Sequence, residues 1–407
     1  MHNEPNSNLN LPLPFPDALQ EFSVATSGLS AQNGMHSGAA VNAVTKSGTN
    51  TLRGNAFEFL RDKRFNAKSA FARLGPDGKR RDDGLLRNQF GGTVGGPILQ
   101  DRLFFFAGYQ GTITRRTEPD RISFVPTPAM MAGDFTAVAS AACNAGRAVT
   151  LRAPFVNNRI SPALFSPAAV FIANKLPAPD DECGRITYSV PVDYDEGQSV
   201  AKIDYQWSTN HSVFGRYLGT FRHDKAPWPR SGNILAQTPA GRDAMAHSAT
   251  FGDTLVFGEN MVNSLRFAYN KSGNNSTPAP FFDTNDAGIK VYTYVPGNMA
   301  LTVRGAFSTP GGFDTKTRFD TTAYQVADDF TMVRGRHQVS AGVNLAYWTS
   351  WQEINARSIG LFEFNGSVTG LSLSDFLTGR LARLEHSAPG ILDVEQTTKK
   401  KEKQDSA

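Results

Sequence analysis

Cysteine is almost absent from this 407-residue chain: Cys143 and Cys183 are the only two, which excludes a disulfide framework and any cysteine-based zinc cluster. Both fall in one loop-like segment, where one bridge in an oxidising compartment or two unrelated thiols fits equally well. Long apolar runs are missing too. The densest, residues 103–107, surrounds three consecutive phenylalanines, far short of the ~18 residues a membrane-spanning helix needs, so helical spans are excluded. Residues 1–10 are polar without a basic-then-apolar pattern, so no secretory leader is expected there; alone, that points to the cytoplasm. Charge of one sign is lacking as well, 41 basic residues against 37 acidic leaving +4. The only dense basic cluster is Lys399, Lys400, Lys401 and Lys403, expected to be a solvated tail, and nucleic acid is not implied.

Catalytic patterns are also missing. There is no His-Glu-x-x-His zinc helix, no Gly-x-Ser-x-Gly elbow and no Cys-x-x-Cys. The seven histidines are scattered singly, and His211, His247 and His337 read as structural or solvated. The run Thr45-Lys46-Ser47-Gly48-Thr49-Asn50 lacks the leading glycine and following helix of a phosphate loop, so a turn after a strand is expected. Gly91, Gly92, Gly95 and Gly96 precede Pro97 and read as a bent wall strand. Asp180, Asp181 and Glu182, with Asp193, Asp195 and Glu196 nearby, read either as hydrated loop acids or as a calcium site. No catalytic, cofactor-binding or metal residue is assigned.

What the chain has is strand-forming and turn-forming material: hydrophobic residues at 40%, charged at 19%, 29 phenylalanines and 37 glycines, a mix that favours β structure. From Val200 apolar and polar residues alternate. Ala201, Ile203, Tyr205 and Trp207 oppose Lys202, Asp204 and Gln206 up to Ser208-Thr209-Asn210. Val213, Gly215, Tyr217 and Gly219 then oppose Ser212, Phe214 and Arg216, which makes a hairpin. A second hairpin turns at residues 257–260, with Leu265, Phe267 and Tyr269 opposing Ser264, Arg266 and Ala268. A third turns at residues 334–336, with Val343, Leu345 and Tyr347 opposing Gly342 and Asn344.

Each arm is about ten residues, the length of a tilted strand that crosses a bilayer. Trp207, Tyr269, Tyr347 and Trp348 sit where an interfacial aromatic girdle is expected. Turns are short at one end. The connections at the other, residues 222–241 and 271–321, are long and rich in Gly, Pro and Asn. That asymmetry marks an outer-membrane barrel, and a soluble sandwich with long loops is the alternative. Residues 53–62 and 87–115 read as further wall strands around a polar loop at 63–83. Residues 116–199 break the pattern, with short helices expected after Thr127-Pro128, ending at Gly133, and after Ser166-Pro167.

Gln20-Glu21-Phe22, then Ala39-Ala40-Val41-Asn42-Ala43-Val44-Thr45-Lys46-Ser47-Gly48-Thr49-Asn50 and Gly54-Asn55-Ala56-Phe57-Glu58-Phe59, resemble the plug-to-barrel junction of TonB-dependent receptors. The Oar-like subgroup is resembled most, because Arg87-Asn88-Gln89-Phe90-Gly91-Gly92-Thr93-Val94-Gly95-Gly96-Pro97-Ile98 and Asp101-Arg102-Leu103-Phe104-Phe105-Phe106 follow in order. Val125-Pro126-Thr127-Pro128-Ala129, Gly133-Asp134-Phe135, Phe362-Glu363-Phe364-Asn365-Gly366 and Asp375-Phe376-Leu377 continue the likeness.

The resemblance implies an all-β chain, the N-terminal part of a large antiparallel transmembrane β-barrel preceded by a plug remnant. Residues 1–52 are expected to end the plug, residues 53–390 to form a partial barrel with a long loop at 116–199, and residues 391–407 to be a disordered tail. The implied function is outer-membrane import of a large or scarce ligand, a carbohydrate or a metal chelate, powered through a TonB complex. The alternative is a non-transporting, adhesin-like barrel. Outer-membrane lipid, TonB and an imported ligand are the implied partners, with no cofactor and no enzyme activity. Ligand recognition is expected from whole segments, 116–199 and 271–321. Compared with the family, the chain lacks a leader, a TonB box and the remaining wall strands, and is therefore expected to be a fragment.

Overall fold

The computed structural model describes residues 13–26, 40–68, 70, 74, 78–82, 84–226, 231–236, 241–309 and 316–406. Residues 1–10, Ala39 and residues 75–77, which enter the expectations above, lie outside them.

Among the described residues, ten strands form one antiparallel sheet: β3 (Arg53–Asp62), β4 (Leu86–Leu99), β5 (Leu103–Phe124), β6 (Arg185–Ser208), β7 (His211–Asp224), β8 (Gly241–Phe257), β9 (Met261–Thr277), β12 (Thr317–Arg334), β13 (His337–Ile354) and β16 (Gly390–Ser406). Each pairs with its predecessor in this series, so the sheet is a meander running from β3 to β16. The predicted hairpins are present, turning at residues 209–210, 258–260 and 335–336. Gly258 (φ 60°) and Gly335 (φ 63°) adopt the left-handed conformation that such tight turns require.

The ladders fix which side chains share a face. Tyr217 pairs with Ala249, Ala249 with Tyr269, Tyr269 with Tyr324, and Tyr324 with Tyr347, so one face carries a continuous row in which Tyr269–Tyr324 centroids lie 5.3 Å apart. On the turn side of that row Ile203, Phe251, Phe267, Val326 and Leu345 are exposed. On the loop side come His247, Lys271, Thr322 and Thr349. Adjacent strand residues point oppositely, so Trp348, paired with Ala323, lies on the other face and not in the girdle. Tyr269 and Tyr347 fall near mid-strand rather than at strand ends.

Three expected boundaries move. Apart from β3, the wall strands run 14 to 24 residues instead of about ten. The long loop therefore shrinks from 116–199 to 125–184, because β5 continues to Phe124 and β6 begins at Arg185. The lysine-rich segment expected as a disordered tail is placed as β16, antiparallel to β13 from Gly390–Ile354 to Ser406–Gln338. An unpaired β13 edge leaves a row of backbone donors and acceptors open, and β16 satisfies them whatever its side chains.

Beyond the Tyr row the connections fold together. A second sheet has the order β11 (Phe307–Ser308), β10 (Ala300–Val303), β14 (Leu361–Phe364), β15 (Arg383–Glu385), with β10 and β14 parallel. It packs with α1 (Pro128–Met131), α2 (Pro167–Ala173) and α3 (Ser372–Leu377) around one core that includes Val125, Phe135, Ile172, Leu301 and Phe376. Thr127 caps α1 by accepting the Met130 N–H at 3.2 Å, and Gly133 (φ 90°) ends it as expected. Ser166 precedes Pro167 but makes no side-chain cap. Cys143 and Cys183 form a disulfide, Cα atoms 5.3 Å apart. The long connections thus form a disulfide-stapled cap with a hydrophobic core.

Candidate functional site

Two short strands, β1 (Leu19–Ala25) and β2 (Ala40–Thr45), form an antiparallel pair. The residues flanking them lie on the face of the wall opposite the Tyr row. Phe15 and Ala18, 3% and 0% exposed, pack with Phe106 of β5, Val200 of β6 and Leu218 of β7. Register explains this convergence: Gly108 pairs with Val200 and Val200 with Leu218. The segment is also tied by polar contacts. The Gln198 amide donates to the Leu13 carbonyl at 2.8 Å, Asn55 to Asp17 at 2.7 Å, and the Lys202 ammonium to the Ser47 hydroxyl at 2.6 Å. At Gly48 the chain comes so near the wall that a Cβ would stand 2.6 Å from the Gly96 carbonyl oxygen, which excludes a side chain there.

Above this contact lies a cleft of about 440 Å³ between residues 13–16 and the wall. Gln110 and Thr112 of β5, Gln198 of β6, Thr220 of β7 and Ser272 of β9 give it amide and hydroxyl groups. Its charges are paired: Arg222 bonds Glu196 at 2.9 Å and Asp224 at 2.8 Å, and stands over the Tyr194 ring at 4.2 Å. A ligand on this face meets hydrogen-bonding groups and a neutralised ion network, not a bare charge.

Asp180, Asp181, Asp195 and Glu196, among the acidic residues read as a calcium alternative, are engaged by other groups. Asp180 accepts the Thr187 N–H, and Asp181 accepts those of Cys183 and Arg185. Asp195 pairs with Arg115 at 2.6 Å and Lys225 at 3.2 Å. Among the described residues no three His, Cys, Asp or Glu gather as a metal site. His211 bonds Asp253 at 2.6 Å, His247 bonds the Tyr217 hydroxyl at 2.7 Å, and His337 is exposed at the β12–β13 turn. Of the two segments nominated for ligand recognition, residues 116–199 supply Glu196, Gly197 and Gln198 to the cleft and residues 271–321 supply Ser272. The lining residues on β5, β7 and β8 carried only alternation as a signal, and residues 13–16 carried none.

In the cap, burial alone raises the Asp283 carboxyl, but three backbone N–H groups of Gly297, Asp286 and Asn285 more than offset this and hold it below the ordinary carboxylate range. Asp134 is likewise held low, by Thr136 first and then by Arg159. Both stabilise loop turns.

The TonB-dependent transporter Oar of Myxococcus xanthus is 35% identical over 112 residues, covering 24% of this chain and 9% of that protein. The outer-membrane transporter YddB of Escherichia coli shares the fold, with a TM-score of 0.50 and 12% identity over 96% of this chain and 41% of that one. The siderophore receptor PirA of Acinetobacter baumannii aligns over 84% of this chain and 36% of that one, with 12% identity and a TM-score of 0.43. The chain spans less than half the length of each. The outer-membrane beta-barrel domain family matches residues 44–404, and with its antiparallel wall of ten strands this chain belongs to that family and to the cell outer membrane.

Proposed function

We propose that this chain forms the end of the plug and the first part of the wall of an Oar-like, TonB-dependent transporter that imports a large, scarce ligand. The supporting observation is the seating of residues 13–18 and 46–48 on the wall's inner face, beside a cleft that a solute crossing the barrel would line. A carbohydrate is favoured over an anionic metal chelate. Gln110, Thr112, Gln198, Thr220 and Ser272 offer the alternating donors and acceptors that sugar hydroxyls need.

The test is uptake of labelled oligosaccharide and of a ferric chelate in native cells, with the gene deleted and restored, before and after collapse of the proton-motive force. Oligosaccharide uptake that needs both the gene and the proton-motive force supports the reading. Surface binding without energy-dependent uptake supports the non-transporting barrel, and gene-dependent uptake of the chelate alone overturns the ligand class.

A further inference from the structure

Away from the cleft, the cap carries an aromatic group that its packing does not consume. In the segment before β10, Thr293 and Val295 are buried while Tyr292 and Tyr294 are 69% and 38% exposed, so the backbone alternates inward and outward. Val295 rests on Ala300 and Ile359 in a small separate core. The Tyr292 and Tyr294 rings stand edge to face at 4.8 Å and 80°, and His386 stacks on Tyr294 at 5.9 Å. His386 donates through Nε2 to the Tyr292 carbonyl at 2.6 Å, which joins the two chain segments and orients the imidazole. The Tyr294 N–H donates to the Ser358 carbonyl, and the Ser387 N–H to the Arg357 carbonyl. The exposed rings are therefore held in place by neighbours rather than by burial.

A charged rim adjoins them. Glu385, 10% exposed, is gripped by Arg357 at 2.8 Å and by Arg383, whose side chains are 59% and 61% exposed. Two guanidinium groups over one shielded carboxylate leave one positive charge and several outward N–H donors, the planar forks that bind carboxylates.

We infer that Tyr292, Tyr294 and His386, with Arg357 and Arg383, form a binding platform on the outer cap for an acidic saccharide, a uronate-type sugar ring. The two tyrosine planes meet at 80°, so a puckered pyranose can lay C–H groups against both, whereas a flat catecholate can stack on only one. The excess guanidinium charge takes the sugar carboxylate. The inference rests on the cap facing the exterior, as in the transporter reading; binding is measured on purified protein and transport in cells, so either can fail alone.

The experiment is calorimetric titration of the full-length protein, purified from outer membranes in detergent, with tetragalacturonate and with neutral maltotetraose. The galacturonate is expected to bind more tightly, with affinity falling as salt rises. Tyr292→Ala is expected to weaken it about tenfold, a change of 1.4 kcal/mol. Tyr292→Trp should retain binding, and Arg357→Gln should weaken galacturonate without affecting maltotetraose. Heat-modifiable gel mobility shows that each variant is folded. Absence of galacturonate binding, equal affinity for both sugars, or wild-type affinity in folded Tyr292→Ala overturns the platform.

Discussion

Phe15 fills the space left by the missing side chain of Gly108: a Cβ built on that glycine would stand 2.8 Å from Phe15 Cζ. The contact couples the N-terminal segment to β5 through one position where the wall has no side chain. Gly108→Leu should therefore expel Phe15 and, with it, the turn that brings the Ala18 carbonyl to the Lys46 N–H at 2.9 Å. Limited trypsin digestion would show it, with cleavage after Lys46 accelerated in the variant. Phe15→Ala should act in the same direction, at a cost of about 3–5 kcal/mol to docking. Equal digestion of variant and parent would refute the coupling.

Cys143 and Cys183 are 40 residues apart in sequence. Cross-linking a loop of that length restricts its unfolded state by about 4 kcal/mol in the chain-entropy treatment. A double Cys→Ser variant should lose amide-exchange protection in residues 135–146 while the β12–β13 ladder keeps its own. Loss of protection in both would mean that cap and wall unfold together.

Asp283 gives the cap a pH dependence. Its folded pKa lies below the unfolded value, so its stabilisation is complete above the unfolded carboxylate range and is lost as pH falls through the folded pKa. Thermal melting of the cap should thus decline on acidification below about pH 4. Asp283→Ala leaves three backbone donors unpaired and should cost about 1–3 kcal/mol at neutral pH, with the acid-dependent decline reduced. An unchanged acid profile in the variant would assign that decline to other carboxylates.

Phe267 lies between Phe251 and Val326 on the exposed apolar face, and its neighbour Ala268 lies on the inner face beside Thr250 and Gln325. Phe267→Lys should destabilise the assembled barrel by about 2–4 kcal/mol if the row is near the bilayer midplane, whereas Ala268→Ser should be nearly silent. Urea titration of the folded protein in lipid vesicles distinguishes them. Similar sensitivity at both positions would contradict the assignment of faces.

Alternation made nine of the ten wall strands legible, because a strand between lipid and a polar interior must present opposite chemistry on successive residues. Turn residues marked the three tight turns, and the Thr127-Pro128 pair and Gly133 marked the two ends of the first helix. The same signal fades where a strand leaves the bilayer. The upper halves of β5 and β6, with Arg115, Arg116, Asp193 and Asp195, carry charged residues on both faces, so their pattern resembles a loop while the hydrogen-bonded ladder continues, with one register shift between Glu118 and Arg121. β16 was hidden for a related reason: its pairing with β13 is made by backbone, and its lysines gave no apolar stripe to read.

The residues by themselves therefore determined the wall: its strand type, the pairing of neighbours through short turns, and its place among outer-membrane β-barrels. Tertiary structure decided what the connections do. Residues 125–184, 278–309 and 355–382 contribute to one core around Phe135, Leu301 and Phe376, and no local period can announce packing between segments so far separated in the chain. The cleft beside residues 13–16 has the same origin, because Gln110, Gln198, Thr220 and Ser272 are ordinary polar residues until register and the docking of Phe15 set them around one space.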